Sequence, residues 1–190
     1  NLRKIGLIGG MSWLSTQTYY EHINKQVQAR AGGRASAPML IESLDFSNMA
    51  RLSTAEEWKA AGEVLAASAK RLEAAGATAV LICANSMHKV FDTVAGAVTV
   101  PVIHIAECVA AKMEANGVKK AALIGTRNVM VESFYRQKLI QRDIELLPPE
   151  MKFVDTLDRI IYDELLLGKA SRQAERELKT ILTNLEQDGA

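Results

Sequence analysis

One stretch of the sequence combines a buried-strand pattern with side chains that could do chemistry. Its apolar run, Ala79 to Ile82, gives way to Cys83 and then to the polar residues Asn85, Ser86 and His88. This order is typical of a strand that ends at the rim of a pocket. A thiol can carry a proton, and an amide or hydroxyl can bind a carboxylate or an amine. Asn85 or Ser86 could equally cap a short helix, and His88 could hydrogen-bond a strand or helix end.

A glycine-rich turn between a strand and a helix offers a second candidate site. The residues Gly9, Gly10, Met11 and Ser12 follow the first apolar run. Backbone N–H groups in such a turn, with a helix N-terminus behind them, can hold an anion. The turn lacks both GxGxxG and the Gly-Lys-Ser/Thr of a phosphate loop, which excludes a nucleotide site. We expect Gly10, Met11 and Ser12 to bind a small carboxylate, with an ordinary tight turn as the alternative.

Two further positions could contribute to carboxylate binding. Thr126, after Gly125, repeats the strand-end turn in the second half of the chain, although an ordinary turn with a helix cap gives the same pattern. Arg51, in the polar loop DFSNMARLS, could clamp a carboxylate with its guanidinium or could simply be solvated.

The histidines do not indicate a metal site. The patterns HxH, HExxH and paired CxxC are absent from the sequence, and His88 and His104 stand alone. His104 lies inside a predicted strand, where a hydrogen-bonded core histidine is expected. Four other large side chains are expected to serve packing: Trp13, Tyr19, Tyr20 and Met87.

The overall composition limits the class of protein. Of 190 residues, 48% are hydrophobic and 24% are charged, which is ordinary for a globular protein. The net charge of +1 gives no electrostatic footprint for nucleic acid or an anionic membrane, and no apolar stretch is long enough to span a bilayer. Cys83 and Cys108 do not make a disulfide framework, so we expect reduced thiols in a cytosolic setting.

Short β-branched runs alternate with long amphipathic runs, which predicts parallel sheet flanked by helices. The predicted strands are residues 4–8, 39–43, 79–83, 100–105, 120–124 and 144–147. The predicted helices run from a cap at Ser15 or Thr16 to residue 30, from a capping box of Thr54 and Glu57 to residue 75, and over residues 107–116, 131–142, 152–167 and 171–187. No strand pattern follows the last helix, so we expect the architecture to lack its last strand.

The two halves of the chain have similar first strands. KIGLIGGMS and KKAALIGTRN each place a basic start, an apolar strand and a Gly-plus-polar turn before a helix. We therefore predict two similar α/β lobes, residues 1–116 and 117–190. A cleft is expected between their C-terminal strand edges, where open parallel sheets bind ligands.

These motifs together resemble the aspartate/glutamate racemase family, specifically its bacterial broad-specificity members. The resemblance rests on GGMSWLSTQTYY and CANSMHKV, with SLDF, PVIHIAE, LIGTR and RIIYDELLLG following in order, and it covers essentially the whole chain. It implies two α/β lobes related by a pseudo-twofold axis, no pyridoxal phosphate or other cofactor, and frequent dimerisation. It also implies that a substrate such as aspartate or glutamate binds between the lobes, where two thiols invert its α-carbon.

The family's CNTxH signature falls on ANSMH, which starts at Ala84. The resemblance therefore gives binding or supporting roles to Asn85, Ser86 and His88, and it places the first catalytic position at Ala84, which carries no exchangeable proton. Because successive strand side chains point to opposite faces, Cys83 would point away from the cleft if Ala84 faced it. The second thiol motif, GCTE, does not occur in the sequence.

The resemblance implies an amino acid racemase that transfers the α-proton between two bases, impaired here by Ala84 and by the absent second motif. Its expected ligand is a small acidic amino acid, and the protein is expected to be a cytoplasmic homodimer without nucleic-acid or membrane partners. A non-catalytic carboxylate-binding protein on the same scaffold is the alternative. A sister enzyme with one cysteine, such as a decarboxylase or a cis-trans isomerase, would also need a correctly aimed thiol.

Overall fold

In a computed structural model, which describes residues 2–190, the protein has an α/β fold with parallel sheets flanked by helices. The chain divides into two compact units, the first ending at His104 and the second beginning at Ile105. This division falls before the helix predicted for residues 107–116, whereas the sequence analysis placed the boundary after that helix.

The first unit is built on a four-stranded parallel sheet with the strand order β2-β1-β3-β4. Its strands are β1 (Ile5–Gly9), β2 (Met39–Ser43), β3 (Ala79–Ile82) and β4 (Val102–Ile103). Its helices are α1 (Trp13–Ala31), α2 (Ala55–Ala74) and α3 (Phe91–Ala95), and a 3-10 turn, Ser86–Val90, joins β3 to α3. Since β1 and β3 are the central pair, the turns that follow them start side by side.

The two-residue period of β3 determines which of its side chains enter the main core. Val80 and Ile82 are fully buried and pack with helix residues such as Leu65 in one apolar cluster, which extends past the strand to Ala84. Cys83 alternates with them and is also buried, on the opposite side of the chain. Each fully buried aliphatic side chain of this kind stabilises the fold by roughly 1.5–3 kcal/mol.

The second unit contains, within the described residues, a two-stranded parallel sheet of β5 (Lys120–Ala121) and β6 (Glu145–Leu146). Its helices are α4 (Ile105–Ala115), α5 (Arg127–Val131), α6 (Ser133–Ile140), α7 (Met151–Asp163) and α8 (Arg172–Gln187). Helices α7 and α8 are amphipathic, and Val154 and Leu157 of α7 share a buried cluster with Ile181 of α8.

The helix starts of the first unit show one confirmed prediction and one error. Thr54 and Glu57 form the predicted capping box of α2, in which each side chain accepts the backbone N–H of the other residue. The cap predicted for α1 at Ser15 or Thr16 is wrong, because the helix begins earlier and has Ser12 at its N-cap.

Two predictions about element boundaries are also wrong. Strand β4 ends at Ile103, so His104 lies between this strand and α4 rather than inside a strand. The helix predicted for residues 131–142 begins only at Ser133, because the extended backbone of Glu132 (φ −83°, ψ 161°) separates it from α5, a short helix that the sequence analysis did not predict.

The aromatic side chains of α1 are more exposed than the sequence analysis predicted. Trp13 is 62% exposed and Tyr20 is 51% exposed, and with Ile41 they border a shallow surface depression. The packing role predicted for these two aromatic residues is therefore wrong. Tyr19 is half-buried, and Met87 lies in the apolar core as predicted.

No helix within residues 2–190 is both long enough and apolar enough to cross a membrane. The same residues contain no group of three or more His, Cys, Asp or Glu side chains arranged to hold a metal ion.

Candidate functional site

The candidate site lies where the two central strands of the first unit end. Strands β1 and β3 pair in parallel with Ile8 opposite Ile82, and the N–H of Cys83 donates to the carbonyl oxygen of Ile8 over 3.0 Å. The chain therefore leaves both strands at the same edge of the sheet. Six of the predicted site residues follow these two strand ends: Gly10, Met11, Ser12, Ala84, Asn85 and Ser86.

The turn after β1 is closed by hydrogen bonds to the first turn of α1. The N–H of Gly10 donates to Oγ1 of Thr16 over 2.8 Å, and that hydroxyl donates to the carbonyl oxygen of Ser12. A side chain at Gly10 could not fit, because its Cβ would lie 2.2 Å from the carbonyl oxygen of Leu44 and its φ is +87°. The Gly10 N–H is thus already satisfied within the protein, so any anion must be held by other donors.

Thr16 is a structural residue of this site that the sequence analysis assigned only to a helix cap. Its spacing of four from Ser12, one helical turn, is the signal that could have identified it. Such a threonine can reach the carbonyl oxygen of the residue at the helix start, and its own oxygen remains as an acceptor.

Helix α1 presents an N-terminus that no acidic residue of its first turn neutralises. Ser12 occupies the N-cap with an extended backbone, and its side chain makes no capping hydrogen bond. Ser12 and Met11 are buried, at 7% and 3% exposure. A helix of 19 residues carries a partial positive charge at this end, which favours a carboxylate there.

The turn after β3 buries Cys83 completely and leaves a small part of Ala84 accessible. The exposed fraction is 0% for Cys83 and 8% for Ala84. Burial raises the pKa of the Cys83 thiol to about 12, because the thiolate would lose its hydration. Asn85 is exposed and Ser86 half-buried at the start of the 3-10 turn. Residue 84 therefore carries a methyl group that is almost fully buried, the Cys83 thiol beside it is completely enclosed, and Asn85 is the exposed residue of this turn.

The buried side chain of His88 holds the turn after β3 by a hydrogen bond to its backbone. Its ring is 1% exposed, and Nδ1 lies 2.8 Å from the carbonyl oxygen of Ala84. Because a carbonyl oxygen only accepts hydrogen bonds, Nδ1 carries the proton and donates it. The rings of His104 and Phe91 pack close by, with the His88 and His104 centroids 4.8 Å apart. Burial and the neighbouring His104 lower the pKa of His88 to about 4, so the ring is neutral at physiological pH.

The two remaining predicted binding residues have different surroundings. Arg51 is exposed, in the segment between β2 and α2. Thr126, in the second unit, is the N-cap of α5, and its hydroxyl donates to Oδ1 of Asn128 over 2.6 Å. The next backbone N–H, of Arg127, donates to the Asp158 carboxylate over 2.8 Å. One backbone donor of this turn is therefore already hydrogen-bonded to a carboxylate of the protein itself.

Thiol labelling is expected to distinguish the two cysteines. A thiol with a pKa near 12 has roughly a thousandfold less thiolate at pH 8 than an ordinary cysteine, and only the thiolate is nucleophilic. Cys108 is exposed and should be modified rapidly by iodoacetamide, whereas Cys83 should be modified only on unfolding. Peptide mass spectrometry over a time course measures both rates. Rapid labelling of Cys83 that aspartate suppresses would contradict its enclosed position.

Known proteins resemble this chain both in sequence and in structure. The family model of Asp/Glu/hydantoin racemases matches residues 8–190. A structure from Yersinia pestis, provisionally named an Asp/Glu racemase, is 37% identical to this chain with a TM-score of 0.88, and the match covers 100% of this chain and 83% of that one. An aspartate racemase homologue from Pyrococcus horikoshii OT3 is 32% identical with a TM-score of 0.72, covering 88% of this chain and 74% of its own.

A more distant structure shares the fold alone. The aspartate racemase of Picrophilus torridus is 15% identical with a TM-score of 0.65, and the match covers 94% of this chain and 73% of that one. The family model and the two more similar structures agree with the motifs found in the sequence. The chain belongs to the Asp/Glu/hydantoin racemase family.

Proposed function

We propose that the protein is a cofactor-independent amino acid racemase in which the first unit binds the substrate carboxylate and residue 84 occupies the position of the first acid/base. The observation that carries this proposal is that the turns after β1 and β3 leave the same sheet edge. The helix N-terminus and the ANSMH motif are both found at these strand ends. The proposed substrate is a small acidic amino acid, in line with the family.

The carboxylate is proposed to bind at the start of α1. The first-turn N–H groups of this helix, the Ser12 hydroxyl and the Asn85 amide supply donors, and the positive helix end supplies charge. Gly10 and Met11 contribute the shape of the turn rather than a free N–H. Two other residues of the first unit, Arg51 and Ser86, are proposed to add donors to the bound amino acid, and the carboxylate-binding role predicted for Thr126 of the second unit is kept as a separate proposal.

The chemistry requires a proton carrier on each face of the substrate α-carbon. An amino acid α-proton is weakly acidic, so one group must remove it while another returns a proton from the opposite side, and donors around the carboxylate stabilise the carbanion-like state. Ala84 has no proton to exchange. Cys83 has one, but its enclosure and its pKa of about 12 keep it neutral and out of reach. We therefore propose that racemisation by this chain is impaired at the first acid/base position.

His88 is proposed to act as a positioning residue. By holding the carbonyl oxygen of Ala84, it fixes the backbone that carries residue 84 and the neighbouring Asn85. A neutral ring with a pKa of about 4 keeps this hydrogen bond unchanged across the physiological pH range.

A second candidate function is a non-catalytic protein that binds an amino acid on the same scaffold. The methyl group of Ala84 favours it, since the binding turns would remain intact while the acid/base is absent. The two functions differ in one measurable respect: both bind the amino acid, and only the racemase exchanges its α-hydrogen with solvent. Several finer features are carried over from the family as proposals: independence of pyridoxal phosphate, a homodimeric state and a cytoplasmic location.

Ligand binding is expected to weaken when a negative charge is placed at the proposed carboxylate site. In the variant Ser12→Asp, the new residue is as favourable at a helix N-cap as serine, but its carboxylate repels a bound carboxylate. Two like charges about 4 Å apart near a protein surface repel by several kcal/mol, so we expect at least about a tenfold loss of aspartate affinity. Isothermal titration calorimetry with both enantiomers of aspartate and glutamate measures the effect.

The matched control is Ser171→Asp at the N-cap of α8, where the serine accepts the N–H of Ala174 over 3.0 Å. This variant makes the same substitution at another helix start and should bind aspartate like the unmodified protein. Equal affinity in Ser12→Asp would remove the helix α1 N-terminus from the proposed site.

A further inference from the structure

Two buried histidines and a phenylalanine form a cluster of rings next to the turn after β3. His88 and His104 are 1% and 5% exposed. The centroid of the His104 ring lies 4.8 Å from that of His88 and 4.7 Å from that of Phe91. His88 in turn holds the carbonyl oxygen of Ala84 through Nδ1. His104 is therefore one contact away from the backbone of the candidate site.

The cluster joins two segments of the first unit. His88 and Phe91 are three residues apart at the 3-10 turn, and residues with this spacing lie above one another, so their rings are nearly parallel, with an interplanar angle of 9°. His104 directly follows β4, in which Val102 packs against the main core and Ile103 is 39% exposed. The alternation of strand side chains therefore directs His104 to the core side, where it meets the two other rings.

The His104 ring fits against both of the other rings. It is tilted by 51° to the ring of His88 and by 52° to that of Phe91. Tilted rings with centroids roughly 4.5–7 Å apart are in favourable contact. The centroids of His88 and Phe91 are 6.4 Å apart, so His104 lies closer to each of these rings than they lie to one another. The ring of His104 therefore limits the space in which the His88 ring can turn.

The orientation of the His88 ring decides whether the turn is held. Burial and the neighbouring His104 lower the pKa of His88 to about 4, so the ring is neutral and carries one N–H, on Nδ1. The torsion that rotates a histidine ring is broad and roughly two-fold, so the side chain alone barely distinguishes two opposite orientations. In the opposite orientation a C–H group would replace Nδ1 beside the carbonyl oxygen of Ala84. Packing against the ring must therefore help to select the orientation that makes the hydrogen bond.

We propose that His104 is a positioning residue of the candidate site. Its ring keeps His88 in the orientation from which Nδ1 donates to the carbonyl oxygen of Ala84, and this hydrogen bond fixes the backbone of Ala84 and Asn85. His104 acts through His88 and not on the substrate. Only the consequence for amino acid binding rests on the proposed function, because the contact between the rings and the hydrogen bond to Ala84 do not depend on it.

The test follows the Nδ1–H proton of His88 by magnetic resonance of protein labelled at its histidine ring nitrogens. The chain has three histidines, and the variants His22→Gln and His104→Phe assign their signals. We expect one slowly exchanging Nδ1–H signal for His88 in the unmodified protein. In His104→Ala this proton should exchange with water at least about tenfold faster, because the cavity beside the ring lets it turn. His104→Phe retains an aromatic ring at this place and should retain slow exchange.

The matched control is Leu72→Ala, which truncates a residue of α2 that is 5% exposed and lies next to Gly6, near the other end of the sheet. It lowers the stability of the same unit and should leave the His88 proton slow. Urea unfolding of each variant separates local release of the ring from exchange through global unfolding. Equal acceleration in His104→Ala and Leu72→Ala after this correction would overturn the proposal. Rapid exchange of the His88 proton in the unmodified protein would overturn it whether or not the variants fold.

Aspartate binding provides the measurement that depends on the proposed function. Calorimetry should show at least about tenfold weaker binding by His104→Ala than by His104→Phe, because the backbone of Asn85 is no longer held. If the unmodified protein bound no amino acid, the proposed function would fail, and the ring measurement would still decide whether His104 positions His88. Equal affinity of the two variants, with a released His88 ring in His104→Ala alone, would remove His104 from the binding site.

Discussion

The variant Ala84→Cys is expected to exchange the α-hydrogen of aspartate or glutamate on the order of a hundredfold or more faster than the unmodified 190-residue chain. In the unmodified chain the rate should be close to that of the free amino acid, because residue 84 offers only a methyl group. A thiol at this position would be less enclosed than the native one, since Ala84 is 8% exposed and Cys83 is 0% exposed. Ala84→Thr should also raise exchange, by a smaller factor.

The experiment follows incorporation of deuterium from deuterated water by proton magnetic resonance, with chiral chromatography of the same samples. Because the sequence contains no GCTE motif, we expect exchange without full inversion in Ala84→Cys. The matched control is Ala79→Cys, which places a new thiol at the start of β3, the opposite end of the same strand. It should leave the exchange rate at the background level.

The role of Cys83 is tested in the same assay. Cys83→Ser should change neither the unmodified chain nor Ala84→Cys, because the native thiol is enclosed and has a pKa of about 12. Robust exchange by the unmodified chain, lost in Cys83→Ser, would instead assign the proton transfer to Cys83.

Local sequence signals predicted the architecture because strands and helices of this fold are periodic over their whole length. The apolar run of residues 79–82 and the capping box at Thr54 and Glu57 depend only on neighbours in sequence, and the strand and the cap that they predict are both confirmed. The alternation of side chains along a strand separates Cys83 from Ala84, since the N–H of Cys83 still donates to Ile8 and so continues the strand pairing. The opposite orientation of these two side chains could therefore be predicted from the sequence, because the strand pairing continues as far as Cys83.

Errors occurred where a contact distant in sequence, or a local choice between equal options, decided the structure. The spacing of Thr16 from Ser12 allows its hydroxyl to reach the helix start, but does not by itself distinguish accepting the N–H of Gly10 from capping α1, because both uses satisfy the hydroxyl. The extended backbone of Glu132 interrupts a continuous helical pattern. The depth at which Cys83 and His88 are buried is set by packing among several elements, so the magnitude of their pKa shifts could not be predicted from the sequence.

Acidification should destabilise the first unit through His88. Folding holds the pKa of this histidine at about 4, below the value of 6.5 for an unfolded chain, so the unfolded state binds a proton more readily. The contribution to the free energy of unfolding is fully present above pH 6.5 and is lost as the pH falls from 6.5 to about 4. A shift of this size corresponds to roughly 3 kcal/mol in total, with about 2 kcal/mol of it lost between pH 7 and pH 5.

Both tryptophans, Trp13 and Trp58, lie in the first unit, so their fluorescence during urea unfolding reports on that unit. The variant His88→Gln keeps a side-chain donor for the Ala84 carbonyl oxygen but cannot titrate. It should be less stable than the unmodified protein at pH 7 and should lose about 2 kcal/mol less between pH 7 and pH 5. The control His22→Gln removes an exposed histidine and should keep the full pH dependence. If His88→Gln retained that dependence as well, the acid-sensitive group would have to be another residue. The inference that a neutral His88 holds the turn at residue 84 would then be contradicted.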